Sequence, residues 1–184
     1  MGVVIVFKKV FSLLFIFSVV ISCCGIIYAD STPPTNTKIK LENVQSNSLV
    51  LNLPIGPNDM PYTGLSVTLW SWLDNSTQWW ETCYYATIGG IPTYTVPLYS
   101  YSTLMLNDYH TQSDHYCTIF TAANNSYQDI TIYWNYLSTG LYQMYLYSHN
   151  RFLGSPNAAP NEQCMWVSCP SGATDYERWF VNPA

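Results

Sequence analysis

Charged side chains are scarce. Asp, Glu, Lys and Arg make up only 9% of the 184 residues, and the balance is acidic, with six basic residues against 11 acids and a formal net charge of −5. Beyond Lys8 and Lys9, the only bases are Lys38, Lys40, Arg151 and Arg178. A chain so poor in cations is repelled by phosphate backbones, which excludes nucleic acid as a partner. Signatures of catalysis are missing too. There is no Gly-x-Ser-x-Gly elbow and no Gly-rich phosphate loop. Glycoside hydrolysis needs two carboxyl groups converging on one bond, and the acids here are scattered along the chain. Asp108, His110, Asp114 and His115 match no metal-site spacing and are expected to form a solvated loop. No catalytic residue, metal or cofactor is therefore expected. No stretch after the N-terminus sustains a helical period of apolar residues.

The N-terminal segment is read separately. Lys8 and Lys9 precede an almost wholly apolar run from Val10 to Ile27, the layout of a secretory signal, with Ile27-Tyr28-Ala29 as an imperfect cleavage site. Residues 1–29 are assigned to this leader, which makes the protein secreted. Val20-Ile21-Ser22-Cys23 resembles a lipoprotein box, the alternative in which the chain is lipid-anchored at an outer surface. An uncleaved run is long enough to anchor in a bilayer. Membrane contact is expected only through such an anchor or lipid. About 155 residues follow, enough for one core.

What the chain does have is aromatic: 16 Tyr and seven Trp, large rigid residues with a polar tip. It also has a repeated triplet. Gln78-Trp79-Trp80, Gln128-Asp129-Ile130 and Glu177-Arg178-Trp179 share the form Gln/Glu-x-large apolar, with first residues 50 and 49 positions apart. Such regularity marks internal repeats, each a unit that buries its apolar face against its neighbours. Upstream segments recur in register. Ser48–Asn52 then Val67–Trp70, Thr103–Asn107 then Cys117–Phe120, and Arg151–Gly154 then Cys164–Val167 each read as strand, loop, strand. Runs rich in Tyr, Val, Thr and Ile, punctuated by Gly89-Gly90 and Ser138-Thr139-Gly140, complete the pattern. About twelve short strands in three groups of four imply an all-β, closed or nearly closed architecture that hides strand edges.

Cys23 and Cys24 belong to the leader; Cys83, Cys117, Cys164 and Cys169 remain. An even count in a secreted chain suggests two disulfides, with three possible connectivities. Five residues of extended strand would put the Cα atoms of Cys164 and Cys169 roughly 16 Å apart, too far to bridge. They are expected to bond to Cys83 and Cys117, in either order.

Val67-Thr68-Leu69-Trp70, a short loop and Gln78-Trp79-Trp80 resemble the ricin B-type lectin repeat. The resemblance implies a β-trefoil of three four-stranded repeats, a six-stranded barrel capped by three hairpins, over a single domain at residues 38–182. It implies a non-catalytic carbohydrate-binding protein whose partners are glycans or glycoproteins, held in up to three shallow aromatic pockets. In repeat one the platform would be Trp70, with Asn52, Thr68, Thr77 and Gln78 around it. In repeat two it would be Phe120, with Asn107, Thr118, Tyr127 and Gln128. In repeat three Val167 stands at the platform position, Gly154 at the acidic position and Glu177 at the Gln, so this site looks dead. The chain departs from the family pattern: the acidic residue that grips sugar hydroxyls is Asn52, Asn107 or Gly154 here, and Val50 and Trp72 fill the places of the family's repeat cysteines.

Trp80, Ile130 and Trp179 are expected as equivalent core residues, together with Trp79 and Trp166. Trp72, two residues from Trp70, is expected to share its face. Asn75-Ser76-Thr77 and Asn124-Asn125-Ser126 are glycosylation acceptors in a eukaryotic chain. Two other functions are compatible with a trefoil. One is a cell-surface-binding subunit of a secreted assembly, resembling the trefoil subunits that flank cytolethal distending toxins and taking other secreted subunits as partners. The other is a Kunitz-type protease inhibitor, a family that lacks the Gln-x-Trp triplets.

Overall fold

The computed structural model describes residues 32–46, 48–56, 58–108, 115–121, 130–146, 151–168 and 174–184. The chain divides into two units, Met1–Ser31 and Thr32–Ala184. The expected leader, His110, Asp114, the Asn124 acceptor, Tyr127, Gln128 and Cys169 lie outside the described residues.

Among the described residues, fourteen strands join in one sheet. They are β1 (Lys38–Asn43), β2 (Leu49–Asn52), β3 (Thr68–Ser71), β4 (Trp80–Glu81), β5 (Cys83–Ile88), β6 (Ile91–Thr95), β7 (Pro97–Leu98), β8 (Tyr101–Asp108), β9 (Cys117–Thr121), β10 (Ile132–Ser138), β11 (Leu141–Leu146), β12 (Arg151–Gly154), β13 (Met165–Ser168) and β14 (Trp179–Pro183). A short 3-10 turn, Asp175–Glu177, precedes β14. The count exceeds twelve because two long strands are each interrupted by one residue, Thr82 between β4 and β5 and Val96 between β6 and β7. Such irregularities bend a strand. Here the bend lets one strand serve two neighbours: β4 pairs with β1 and β7, while β5 pairs with β6.

With each interrupted strand taken as one, the antiparallel pairings β1–β14, β14–β11, β11–β10, β10–β6, β6–β5 and β4–β1 close a six-stranded barrel. Closure leaves no barrel edge for another chain to extend. Along β1 the pleat turns Ile39 and Leu41 inward and Lys38, Lys40 and Glu42 outward. Gly90 (φ +83°) and Gly140 (φ +73°) make the tight turns β5–β6 and β10–β11 that join successive repeats. Glycine reaches positive φ without the cost a Cβ imposes.

The three remaining hairpins, β2–β3, β8–β9 and β12–β13, meet around one axis. Backbone hydrogen bonds join them in two closed rings. In the inner ring Val67 N–H donates to Cys117 O (2.8 Å), Cys117 N–H to Cys164 O (2.9 Å) and Cys164 N–H to Val67 O (2.8 Å). In the outer ring Leu69 N–H donates to Glu162 O, Ile119 N–H to Leu65 O and Trp166 N–H to His115 O. Each ring takes one donor and one acceptor from each third of the chain. The fold is an all-β trefoil with near-threefold symmetry.

The core fills the barrel and the underside of this cap. Trp80, Trp166 and Trp179 are fully buried, and each indole N–H reaches a backbone carbonyl: Leu51 O (3.1 Å), Asn107 O (3.0 Å) and Leu153 O (2.9 Å) respectively. That satisfies the one polar group a tryptophan brings inside. Ile130 is buried and has no such donor.

Two expectations need correction. Cys83, Cys117 and Cys164 are free thiols. Cys83 lies opposite Thr95 in the β5–β6 ladder and so has no cysteine across from it. Nor is the Asp/His region simply a solvated loop. Asp108 is buried at the end of β8, and its carboxylate oxygens lie 3.0 and 3.2 Å from Nδ1 of His115. A buried carboxylate needs such a partner; the histidine supplies it from across the hairpin.

Candidate functional site

The first hairpin carries the most exposed tryptophan platform. Trp70 sits on β3 opposite Val50, and 39% of its surface is accessible although Val50 is fully buried. The polar residues expected around it are more enclosed than a binding ring requires. Asn52 and Thr68 face each other across the β2–β3 ladder and are both buried. The Thr77 hydroxyl lies 3.1 Å from Asn52 Oδ1 and 2.7 Å from Asn75 Oδ1, with one proton to share between the two acceptors. The Thr68 hydroxyl makes no hydrogen bond.

Gln78 is wholly committed to the fold. It is fully buried; its Oε1 accepts from Leu73 N–H (2.7 Å) and its Nε2 donates to Ser71 O (2.8 Å). Its amide clamps the loop after β3, which curls over as Leu73 and Asp74, the latter at φ +54°. Asp74 in turn accepts the Trp79 indole N–H at 2.8 Å. Trp72 does not share the exposed face of Trp70. β3 ends at Ser71, and Trp72 folds back edge-on against Trp79, ring centroids 4.7 Å apart. The ammonium groups of Lys38 and Lys40 lie over the rings of Trp79 and Trp72, at 3.9 and 5.2 Å from their centroids, a cation–π arrangement that covers this pair.

Trp70 also has neighbours that no linear pattern reveals. Asn161 N–H donates to Leu69 O (2.7 Å), and Thr68 bridges to Gln163. The third hairpin's loop therefore runs alongside β3 and brings exposed Asn161 and Gln163 next to the platform strand. Only the packing of hairpins about the axis makes them neighbours.

In repeat two the equivalent pair persists. Asn107 and Thr118 face each other, and Asn107 Nδ2 donates to Thr118 Oγ1 at 3.3 Å. Phe120 is half-buried. In repeat three the corresponding space is filled. A Cβ built on Gly154 would lie 2.9 Å from Cδ2 of Tyr176, so the tyrosine ring occupies the place of an Asn or Asp side chain. Val167 is half-buried. Glu177, the counterpart of Gln78, is fully buried. Burial pushes its carboxyl above the ordinary range, an effect partly offset by the Thr174 amide, Tyr176 and the Arg178 guanidinium.

Among the described residues no group of three His, Cys, Asp or Glu side chains could hold a metal ion.

No known protein family's sequence profile matches the chain, and no curated protein matches it by sequence. Solved structures do match by shape. The Rhizoctonia solani agglutinin aligns at TM-score 0.63 and 16% identity, over 84% of this chain and 99% of that one. The Macrolepiota procera ricin B-like lectin, solved with lactose, aligns at TM-score 0.58 and 13% identity, over 84% of this chain and all of that one. A mosquitocidal holotoxin aligns at TM-score 0.69 and 16% identity, with 84% of this chain matching only 18% of the toxin. At these identities the likeness establishes the trefoil fold that lectins and a toxin share.

Proposed function

We propose that this protein is a secreted, non-catalytic glycan-binding trefoil whose principal contact is the Trp70 platform of repeat one. Residues 1–29 serve as the leader and residues 38–182 as one binding domain. The exposure of Trp70 beside the Asn52–Thr77–Asn75 cluster carries this reading. An indole face packs on the apolar C–H face of a pyranose, and neighbouring amides and hydroxyls bond its hydroxyls. Because water competes for every such bond, each nets only about 1 kcal/mol. A single site is weak, and useful avidity comes from clustered glycans or from several protein copies. Asn52 and Thr77 bond each other, so their role is to shape the pocket floor more than to grip sugar.

A glycan-array screen of the mature chain against its Trp70→Ala variant tests the proposal. The expected result is a defined set of bound glycans that the variant loses while remaining folded. Absence of any glycan signal, together with inhibition in a parallel protease panel, would replace it with the inhibitor reading. A second reading, a cell-binding subunit of a toxin-like assembly, is favoured by the exposed aromatic residues Tyr84, Tyr85 and Phe180 on the barrel wall, away from the hairpins. It takes over if Trp70→Ala abolishes glycan binding but leaves cell binding intact.

A further inference from the structure

The loop of the third hairpin is held firmly beside β3. Ala159-Pro160-Asn161-Glu162 is a type II turn: Glu162 N–H donates to Ala159 O (3.1 Å), and Asn161 holds φ +64°. Proline at the second position presets the turn, and asparagine tolerates the positive φ of the third. The turn is then pinned to the first hairpin. Asn161 N–H donates to Leu69 O (2.7 Å) and Leu69 N–H to Glu162 O (2.9 Å), so two loop residues oppose one residue of β3. That is a β-bulge, a device that re-aims the side chains beside it. One residue further on, Gln163 lies directly across from Thr68. Directly opposed residues of an antiparallel pair project to the same face. Trp70 shares the face of Thr68, because side chains alternate along a strand. Trp70, Thr68 and Gln163 therefore stand on one surface, at the seam between repeats one and three.

The polar groups on that surface fall into two sets. Asn52 is bonded to Thr77, and Gln78 spends both amide ends on its own loop. Gln163 is exposed, and the Thr68 hydroxyl is buried with no hydrogen-bond partner. A buried polar atom left in that state calls for a partner. The two equivalent seams offer nothing similar. Ser66 faces Thr118, whose hydroxyl already accepts from Asn107 (3.3 Å), and Tyr116 faces Met165. We propose that the Trp70 site is completed by repeat three and takes a neutral disaccharide, or a longer neutral chain, laid across this seam. One pyranose stacks on Trp70 and fills the indole face. Its neighbour in the glycan is held by the Gln163 amide, with Asn161 beside it and Thr68 at the floor. Sugars bearing carboxylate or sulfate are disfavoured. Glu162 belongs to the same turn, and the bases outside the leader are engaged elsewhere: Lys38 and Lys40 over Trp79 and Trp72, Arg151 on Trp166 O and Arg178 on Asp175. Because the turn is already fixed, ordering it on binding costs little. The assignment rests on Trp70 being the glycan platform.

The test uses immobilised glucose, galactose, mannose and N-acetylglucosamine, their neutral disaccharides, and sialylated or sulfated chains of the same sugars. The wild type is expected to bind some neutral disaccharide at least about tenfold better than the matching monosaccharide. Gln163→Ala should lower that disaccharide signal about fivefold, the worth of one net hydrogen bond, and leave the monosaccharide signal unchanged. Trp70→Ala should remove both. Gln163 is exposed and pairs with β3 through its backbone, so Gln163→Ala should keep the wild-type urea midpoint. Partial unfolding would lower both signals together, which separates it from loss of a subsite. Disaccharide binding lost with Trp70→Ala but untouched by Gln163→Ala overturns the seam and leaves the platform standing. Equal binding of mono- and disaccharides does the same, as does a preference for sialylated or sulfated chains. Binding indifferent to Trp70→Ala, or no signal from the wild type, overturns the platform and the seam with it.

Discussion

Repeats one and three are built on the same backbone and differ in what stands on it. In both, a tryptophan of the triplet is fully buried and donates to the carbonyl two-thirds of the way along the first hairpin strand, Leu51 O or Leu153 O. In both, a backbone bond ties the loop before the triplet to that strand, Leu53 N–H to Thr77 O and Ser155 N–H to Tyr176 O. Above that scaffold they diverge. Repeat one places Asn52, Thr77 and an exposed Trp70; repeat three places Gly154, Tyr176 and a half-buried Val167. A site grafted on a fold can be erased without disturbing the fold, because the residues that hold the hairpin are not those that would meet a ligand.

The largest expected effect tests the shared scaffold. Trp80→Ala and Trp179→Ala should each cost about 3–5 kcal/mol, measured by equilibrium denaturant unfolding, because each leaves a large cavity. Similar losses would establish that the two repeats carry equal structural weight. A loss below about 1 kcal/mol in either would break the comparison. Next is the filled pocket. Gly154→Ala pushes a Cβ against the Tyr176 ring and backbone and should destabilise by about 1–3 kcal/mol. Gly154→Asn combined with Tyr176→Thr rebuilds the repeat-one pair and should be more stable than Gly154→Asn alone in the same assay.

Smaller effects follow on the recognition side. Trp70→Ala should weaken glycan binding at least about tenfold, or ~1.4 kcal/mol, measured by titration calorimetry, with stability nearly unchanged. Phe120→Ala should weaken binding less, since phenylalanine offers a smaller face and no N–H donor, and Val167→Ala should be silent. Equal losses from all three would indicate unfolding in place of lost recognition.

The smallest effect concerns Glu177. Its raised carboxyl pKa means the folded chain holds a proton that the unfolded chain has released in the window between the two values. Stability is therefore greatest below the unfolded value and declines as pH rises through the folded one. Glu177→Gln should remove that decline and add roughly 1 kcal/mol at neutral pH by restoring a side-chain amide to the loop. A wild-type midpoint that does not move with pH would remove the contrast between the two side chains.

The architecture was legible in the sequence because trefoil symmetry writes itself into spacing. The triplets repeat near 50 residues, and the recurring Val67, Cys117 and Cys164 segments turn out to be the three corners of one ring. Side-chain commitment was less legible. Gln78 and Gln128 look like pocket donors in a linear pattern, yet Gln78 spends both amide ends on its own loop. The strand continuing from Trp70 suggested an exposed Trp72, but the strand stops one residue earlier and Trp79 captures the ring. Asn161 and Gln163 reach the Trp70 strand from a different repeat, about 90 residues away in the chain, a distance that periodicity does not encode. Asp108 and His115 were separated by a polar stretch that gave no sign of pairing.

The closed rings at the axis have a consequence for how the chain assembles. Neither ring can be completed by one repeat or by two, since each needs a donor from every third of the sequence. The barrel makes the same demand, because β1 finds its partner in β14, with Ile39 against Pro183. A ribosome that has released only the first two repeats has exposed a row of unmet amides and carbonyls and an open seam where β14 belongs. Native contacts of such long sequence separation form late, and folds dominated by them acquire their structure in milliseconds to seconds, not microseconds. The emerging chain must stay unassociated for that interval, because β1 has no partner on that side until β14 has been made.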